Sequence, residues 1–468
     1  MKPIYAFVAI VATLSILFCG CQKHYDPDPQ LSVTAQNQGD AQKLALSIST
    51  GYEPNEVLVK FKDDILPARK TEILNKINGH LKEKILTKLM TKLGHKEGVS
   101  LLEAGGGTMA AIEKLKGLPE VEYAEPNYTY QHFAVSNDPY FLNGYLWGMY
   151  ASSTTPANSY GSQASAAWAS GHTGSATVYI GIIDEGYMYM HEDLQANAGV
   201  NPGEIPGNGI DDDHNGYIDD VYGWDFVGNN NSVFDGTSDD HGTHVAGTIG
   251  AVGGNGKGVA GVCWNVKLLS GKFLGTNGGT TANAIKAIDY FTNLKLSQGL
   301  NIVATNNSWG GGGFSQALQD AIERANNAGI LFIAAAGNAS SNNDANPSYP
   351  ASYPNTNIIA VAAITSTGAL ASFSNYGSTT VDLGAPGASI YSTVPVSLKK
   401  GKIGSGYASY SGTSMATPHV TGAVALYAST HPGSTAAAIK NAILSTTTLT
   451  PSLAGKCVTG GRLNASSF

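Results

Sequence analysis

Four short segments of this chain set reactive side chains beside glycines and small residues that let a backbone approach a substrate closely. The apolar run Val178–Ile183 ends on Asp184. Such a run reads as a strand buried on both faces of a parallel sheet. Active sites lie beyond the carboxyl ends of those strands, where a carboxylate can orient a base. His241-Gly242-Thr243-His244 opens an apolar, small-residue helix. A histidine in a first helical turn faces the positive end of the helix dipole, which favours the neutral imidazole of a general base. The run Leu331–Ala336 leads into Gly337-Asn338, a glycine that permits close approach and an amide that can aim an N–H at developing negative charge. Finally, Gly412-Thr413-Ser414-Met415-Ala416-Thr417-Pro418-His419 enters a helix over Val420–Ala428. Pro418 is tolerable there because early N–H groups lack helical partners.

Singly, each segment has an ordinary alternative: a turn or capping aspartate, a hydrogen-bonded histidine, a Gly-Asn turn, an N-cap serine. Together they supply a nucleophile, a base, an acid to orient it and an oxyanion donor, with the first three in the chain order Asp184, His241, Ser414. A metal pair at His241 and His244 is the rival for the second segment. The His-Glu-x-x-His pattern is missing, and His244 reads as structural.

The elements that must position these groups divide the chain. Residues 1–21 combine Lys2, an apolar run to Phe18 and Cys19-Gly20-Cys21. That is an export signal, shorter than the ~20 residues of a membrane span. Residues 22–50 are a polar tether. Residues 51–134 carry 12 basic and 12 acidic residues, whereas 135–468 carry 12 and 20, so the whole net charge of −8 lies in the second region. Two charge regimes imply two domains, with a boundary near 130–140. In the first, Val57, Val59 and Phe61 alternate as a strand, Glu72–Ile77 and Met109–Leu115 read as helices, and Val121–Tyr128 closes as a strand, giving a small α+β sandwich. In the second, apolar runs at Val178–Ile183, Val266–Leu274, Ile302–Thr305, Leu331–Ala336 and Ile358–Ile364 alternate with helical segments at 281–298 and 315–328. This is an α/β domain with a mostly parallel sheet. The chain ends shortly past a helix, and no appended domain is expected.

With 42% hydrophobic and 13% charged residues among 468, the chain has ample core material and is no disordered polymer. The negative balance excludes a nucleic-acid partner. Of four cysteines, Cys263 and Cys457 fall in the folded part, as a disulfide or as two buried thiols.

Residues ~140–465 resemble the subtilisin-like serine proteases, or subtilases, in Ile180–Asp184, His241–Thr248, Ala334–Asn338 and Gly412–Val420. The resemblance implies a doubly wound, mostly parallel sheet flanked by helices. It also implies a catalytic triad of Asp184, His241 and Ser414 with Asn338 as oxyanion donor, acting on protein or peptide substrates through an acyl-enzyme. Asn306–Gly310 looks like the family's substrate-binding strand, which assigns Ser308, Trp309 and Gly310 to substrate, and Gly337 to the specificity-pocket wall. Residues 51–134 resemble the family's inhibitory propeptide, a ferredoxin-like fold that guides folding, occupies the cleft and is cut between roughly Tyr128 and Asn137. Phe18–Cys21 resembles a bacterial lipoprotein signal with Cys21 lipidated. The expectation is therefore an exported, self-processed protease, either a surface lipoprotein or secreted, which meets a membrane only through that anchor. One departure stands out: Glu185 follows Asp184 where the family carries Ser or Thr. Pointing inward, its carboxylate would raise the pKa of the His241 imidazolium; strand alternation turns it away from the triad, and Glu185→Ser is expected to leave kcat within about tenfold.

Asp211-Asp212-Asp213-His214-Asn215-Gly216-Tyr217-Ile218-Asp219-Asp220 is the densest acidic stretch. Its spacing resembles a structural calcium loop, with Asp211, Asp213 and Asn215 as side-chain ligands, Tyr217 through its carbonyl, and Asp219 or Asp220 completing the set. By family resemblance, Asp193 with Asn255, and Asp225, contribute to further calcium sites. The competing function is a catalytically silent subtilase-fold binding or adhesion module, which has no need of all four catalytic residue types. An esterase is excluded because Gly412–Ala416 lacks the second glycine of Gly-x-Ser-x-Gly.

Overall fold

The computed structural model describes residues 24–25, 52–128 and 135–468. The signal segment with Cys21, most of the tether and residues 129–134 lie outside the described residues. Among the described residues no helix is long and apolar enough to cross a membrane. The chain divides into two compact units, one of residues 29–132 and one containing everything from Phe133 onward.

The smaller unit runs β1 (Tyr52–Phe61), α1 (Pro67–Lys76), β2 (Gly79–Ile85), a five-residue helix (Lys88–Lys92), β3 (Val99–Ala104), α2 (Thr108–Leu115) and β4 (Val121–Tyr128). The strands form an antiparallel sheet in the order β2-β3-β1-β4, the split β-α-β topology of ferredoxin-like folds. Alternation along β1 buries Val57, Val59 and Phe61 on one face, where Ile73 of α1 and Ala111 and Leu115 of α2 cover them. β2 has no buried residue, so no apolar pattern marks it in the sequence.

The larger unit is built on a nine-stranded sheet. Its strands are β5 (Gly174–Asp184), β6 (Gly223–Asp225), β7 (Asn265–Lys272), β8 (Ile302–Asn307), β9 (Leu331–Ala335), β10 (Ile358–Ile364), β11 (Leu383–Pro386), and short β14 (Thr448–Leu449) and β15 (Gly461–Arg462). The order is β14-β15-β11-β10-β9-β8-β5-β7-β6, parallel except where β14 meets β15. A β-hairpin, β12 (Ile390–Ser397) and β13 (Ile403–Tyr410), stands apart from it.

Helices cover both faces, which explains the unalternating strands: every residue of β10 is buried. On one face lie α3 (Ala164–Ala169), α4 (Asp240–Gly250), α7 (Thr413–Thr430) and α8 (Ala436–Ser445), and on the other α5 (Thr281–Gln298) and α6 (Gln316–Asn327). Gly181 and Gly271, in β5 and β7, make room for the Phe291 ring of α5. A Cβ at either would lie 2.8 Å from that ring. The chain moves outward in one direction after β5 to reach β7 and in the other to reach β8, so the switch point lies beside the carboxyl end of β5. Cys263 and Cys457 are buried thiols, and burial pushes Cys263 up to about 12.

Candidate active site

Asp184 ends β5 fully buried, and its Oδ1 accepts the Glu185 N–H at 2.8 Å and the His241 Nδ1–H at 2.9 Å. A carboxylate facing Nδ1 requires the ring proton there and leaves the lone pair on Nε2. Asp184 Oδ2 is buried with no partner among the described residues. His241 stands in the first turn of α4, its side chain 21% exposed and so open to a substrate. Gly242 explains how the turn comes so near: a Cβ there would lie 2.0 Å from the Gly186 carbonyl oxygen. His244, one turn on, donates from Nε2 to the Ile390 carbonyl at 2.9 Å and stacks on Tyr410. Burial lowers it to about 3, so it stays neutral and structural.

Ser414 is the second residue of α7, after Gly412 at the N-cap, and is nearly buried. Its hydroxyl donates to the Ser308 carbonyl at 3.1 Å, and its own carbonyl accepts from Ser308 Oγ at 2.8 Å. That reciprocal pair ties the segment after β8 to the start of α7. Helices α4 and α7 pack against each other on the same sheet face.

Asn338 follows β9, its Oδ1 accepting the Thr413 N–H at 2.8 Å and the Thr413 hydroxyl at 2.9 Å. Two donors on Oδ1 fix the amide's orientation and leave its NH2 as the outward donor. Thr413 Oγ1 accepts the Gly337 N–H at 3.1 Å, so the loops at β9 and α7 are laced together. Gly337 has φ of +110°, and a Cβ there would lie 2.5 Å from Asn375 Nδ2. Buried Asn375 closes this turn, accepting from Ala339 and Ser341 N–H and donating to the Ala336 carbonyl. Trp309 packs on Phe273, and Gly310 is exposed at the outer end of the β8 segment. Thr413 and Asn375 escape a sequence reading. The first has a signal in its adjacency to Ser414, and the second has none.

The expected direction of Glu185 is corrected. Its Oε1 accepts the His241 backbone N–H at 2.6 Å. Strand alternation ends with β5 at Asp184, and Gly186, with φ of +95°, turns the chain so that Glu185 lies against the start of α4.

In the acidic loop, carboxylate oxygens of Glu204, Asp213 and Asp220 lie within 4.8 Å of one another. Of the expected ligands, the structure brings together Asp213 and Asp220 and adds Glu204, which lies outside the acidic run. Asn215 bridges the pair, donating to Asp213 at 3.1 Å and Asp220 at 3.0 Å. Asp211 accepts the Asn215 and Gly216 N–H groups, Asp219 those of Gly207, Asn208 and Gly209, so both brace the loop. Tyr217 packs its ring against Trp224 and Tyr290. Burial pushes Asp220 up to about 6, and burial followed by the Asp213 charge raises Glu204. Three crowded carboxylates of this kind are a hard-oxygen donor set that a divalent cation such as calcium suits. Asp193 and Asn255 meet at 3.0 Å, with Val259 N–H and the Tyr407 hydroxyl also donating to Asp193. Asp225 accepts the Val227 N–H.

The model of the subtilase family (Peptidase_S8) matches residues 175–462, and that of the fervidolysin N-terminal prodomain matches residues 39–127. The chain is 34% identical over 408 residues to the thermophilic serine proteinase of Bacillus sp. (strain AK1), covering 86% of each protein. It is 38% identical over 282 residues to subtilisin DY of Bacillus licheniformis, covering 60% of this chain and 86% of that one. Among solved structures, a protease from Pseudoalteromonas arctica is similar at 28% identity and a TM-score of 0.54, covering 71% of this chain and 98% of the other. A buried aspartate holding a histidine, a serine at a helix start and an amide beside it thus lie in a chain that belongs to the subtilase family, a subtilisin-like serine protease carrying an N-terminal prodomain.

Proposed function

We propose that the enzyme cleaves peptide bonds with Ser414 as nucleophile, His241 as general base and Asp184 as the carboxylate that orients the base and stabilises its cation. The observation that carries this reading is the 2.9 Å bond from His241 Nδ1 to Asp184, which leaves Nε2 to take a proton. The Ser414 hydroxyl leaves the Ser308 carbonyl by rotating about its Cα–Cβ bond, passes its proton to His241 Nε2 and attacks the substrate carbonyl carbon. His241 then protonates the leaving amine, and water repeats the sequence on the acyl-enzyme. The Asn338 NH2 and the Ser414 N–H, a first-turn amide without a helical acceptor, hold the oxyanion. Ser308, Trp309 and Gly310 pair with the substrate backbone, and Gly337 lines the pocket wall.

Asn338→Asp tests the assignment, because it keeps the acceptor for Thr413 and removes the outward donor. The expected result is a fall in kcat of at least about 10²–10³, the size known for such a donor in subtilisin itself, with KM little changed. A raised KM at unchanged kcat would assign Asn338 to ground-state binding instead.

The prodomain acts as inhibitor of its own protease and is removed by cleavage between roughly Tyr128 and Asn137. The Lys2–Cys21 segment supports export from a bacterial cell, with Cys21 as lipid acceptor for a surface lipoprotein or with plain secretion. Glu204, Asp213 and Asp220 are the residues that would hold calcium. The cation neutralises buried charge and stiffens the loop. Excess chelator is expected to lower the melting temperature by about 5 °C or more, and Glu204→Gln to shrink that difference. An unchanged melting temperature in chelator would remove the metal.

A further inference from the structure

Helix α4 starts without a cap of its own. Asp239 at the N-cap makes no side-chain capping bond, because its carboxylate is spent on Lys272 Nζ at 2.8 Å and the Asp235 N–H at 2.6 Å. The amides of a first helical turn have no helical acceptors and need one from elsewhere. For His241 that acceptor is Glu185, a carboxylate from another element, at the short distance of a charge-assisted bond and at the helix end where negative charge is favoured. Asp184 and Glu185, adjacent in sequence, therefore hold one residue at two points: Asp184 its ring, Glu185 its backbone. The glycine contact between Gly186 and Gly242 leaves little slack between the two segments.

We propose that Glu185 is the positioning residue of His241, capping the first turn of α4 through the His241 N–H and, once ionised, adding a second counter-charge for the imidazolium.

The proposal rests on His241 being the base. The charged groups facing Glu185 are Asp184 at the end of β5 and His241 and Asp240 at the start of α4. Lys272, at the end of β7, is engaged by Asp235 and Asp239. Burial pushes the Glu185 carboxyl up to about 7, the cationic form of His241 pulls it down, and the Asp184 charge raises it again. Glu185 thus gains its charge near neutrality, and that charge keeps His241 protonated to higher pH. The stability sign follows from the same shift. A carboxyl whose folded value exceeds its unfolded one contributes stability that is complete below the unfolded value and is lost as pH rises through about 7.

The test compares wild type, Glu185→Gln and Glu185→Ser as processed enzymes, reading kcat and KM on a soluble peptide from pH 5 to 9. Glutamine keeps an acceptor for the His241 N–H and loses the charge. It is expected to keep plateau kcat within about threefold and to move the acid limb of kcat/KM down by roughly half to one pH unit. Its melting temperature should gain on wild type as pH rises from 5 to 8.5. Serine loses the charge and leaves only a short hydroxyl in place of the carboxylate that reaches the His241 N–H, and kcat is expected to fall about tenfold or more at unchanged KM. A Glu185→Gln profile superimposed on wild type, or full kcat in Glu185→Ser, would overturn the proposal. If Glu185→Ser is not recovered folded, the Glu185→Gln profile decides alone. A wild type without Ser414-dependent hydrolysis would instead remove the underlying assignment of His241.

Discussion

Ser414→Ala is expected to lower kcat by about 10⁵-fold or more, the size of the collapse known for subtilisin itself, and to leave the precursor uncut. The hydroxyl is nearly buried and bonded to the Ser308 carbonyl, so its loss removes one hydrogen bond and one small group from a well-packed turn. The reciprocal bond from Ser308 Oγ to the residue-414 carbonyl survives the change. Folding should therefore persist, with a melting temperature close to that of wild type. Full-length precursor from Ser414→Ala beside processed wild type, on the same gel, checks the maturation step. Activity assays on separately supplied prodomain and peptidase check the chemistry. Full processing of the alanine variant by itself would show that another group does the cutting.

Asp184→Asn is expected to cost about 10⁴-fold in kcat. Both donors to Asp184 converge on Oδ1, so an amide with its carbonyl in that place retains the Glu185 and His241 bonds and leaves the ring where it was. Its NH2 then occupies the buried Oδ2 position, where the described residues offer no partner. With the amide turned the other way, NH2 faces Nδ1 and forces the ring proton onto Nε2, the atom that must accept from Ser414. One orientation loses the charge that stabilises the imidazolium, and the other loses the base. KM should change little, because neither orientation moves the Ser308–Gly310 segment. A variant with activity within tenfold of wild type would show that the aspartate serves packing and nothing more.

Much of this architecture is legible in the sequence because burial on both faces writes a continuous apolar run. Ile358–Ile364 and the helix over 281–298 have the bounds that the pattern gives. The hairpin of β12 and β13 is not legible, since Ile403–Tyr410 mixes glycine, serine and tyrosine and lacks a clear period. At the site, Asp184, His241, Asn338 and Ser414 are marked by the small residues that let backbones close around them. Glu185 misleads because alternation is a property of strands and the strand stops one residue earlier. Glu204 is separated from the acidic run by Ile205–Ile210, and only the fold of the loop returns it to Asp213 and Asp220. Asn375 reaches the turn around Gly337 from a distant loop, and nothing in its neighbourhood marks it.

The most direct measurement is mass-spectrometric mapping of a fluorophosphonate on the processed enzyme. A hydroxyl becomes reactive toward that probe only when a base draws its proton, so the mapped residue reports the activated nucleophile itself. The expected result is one adduct, on the peptide containing Ser414, absent from Ser414→Ala and strongly slowed in His241→Ala. No adduct on a folded, processed wild type, or an adduct on any other serine, would contradict the assignment of the triad.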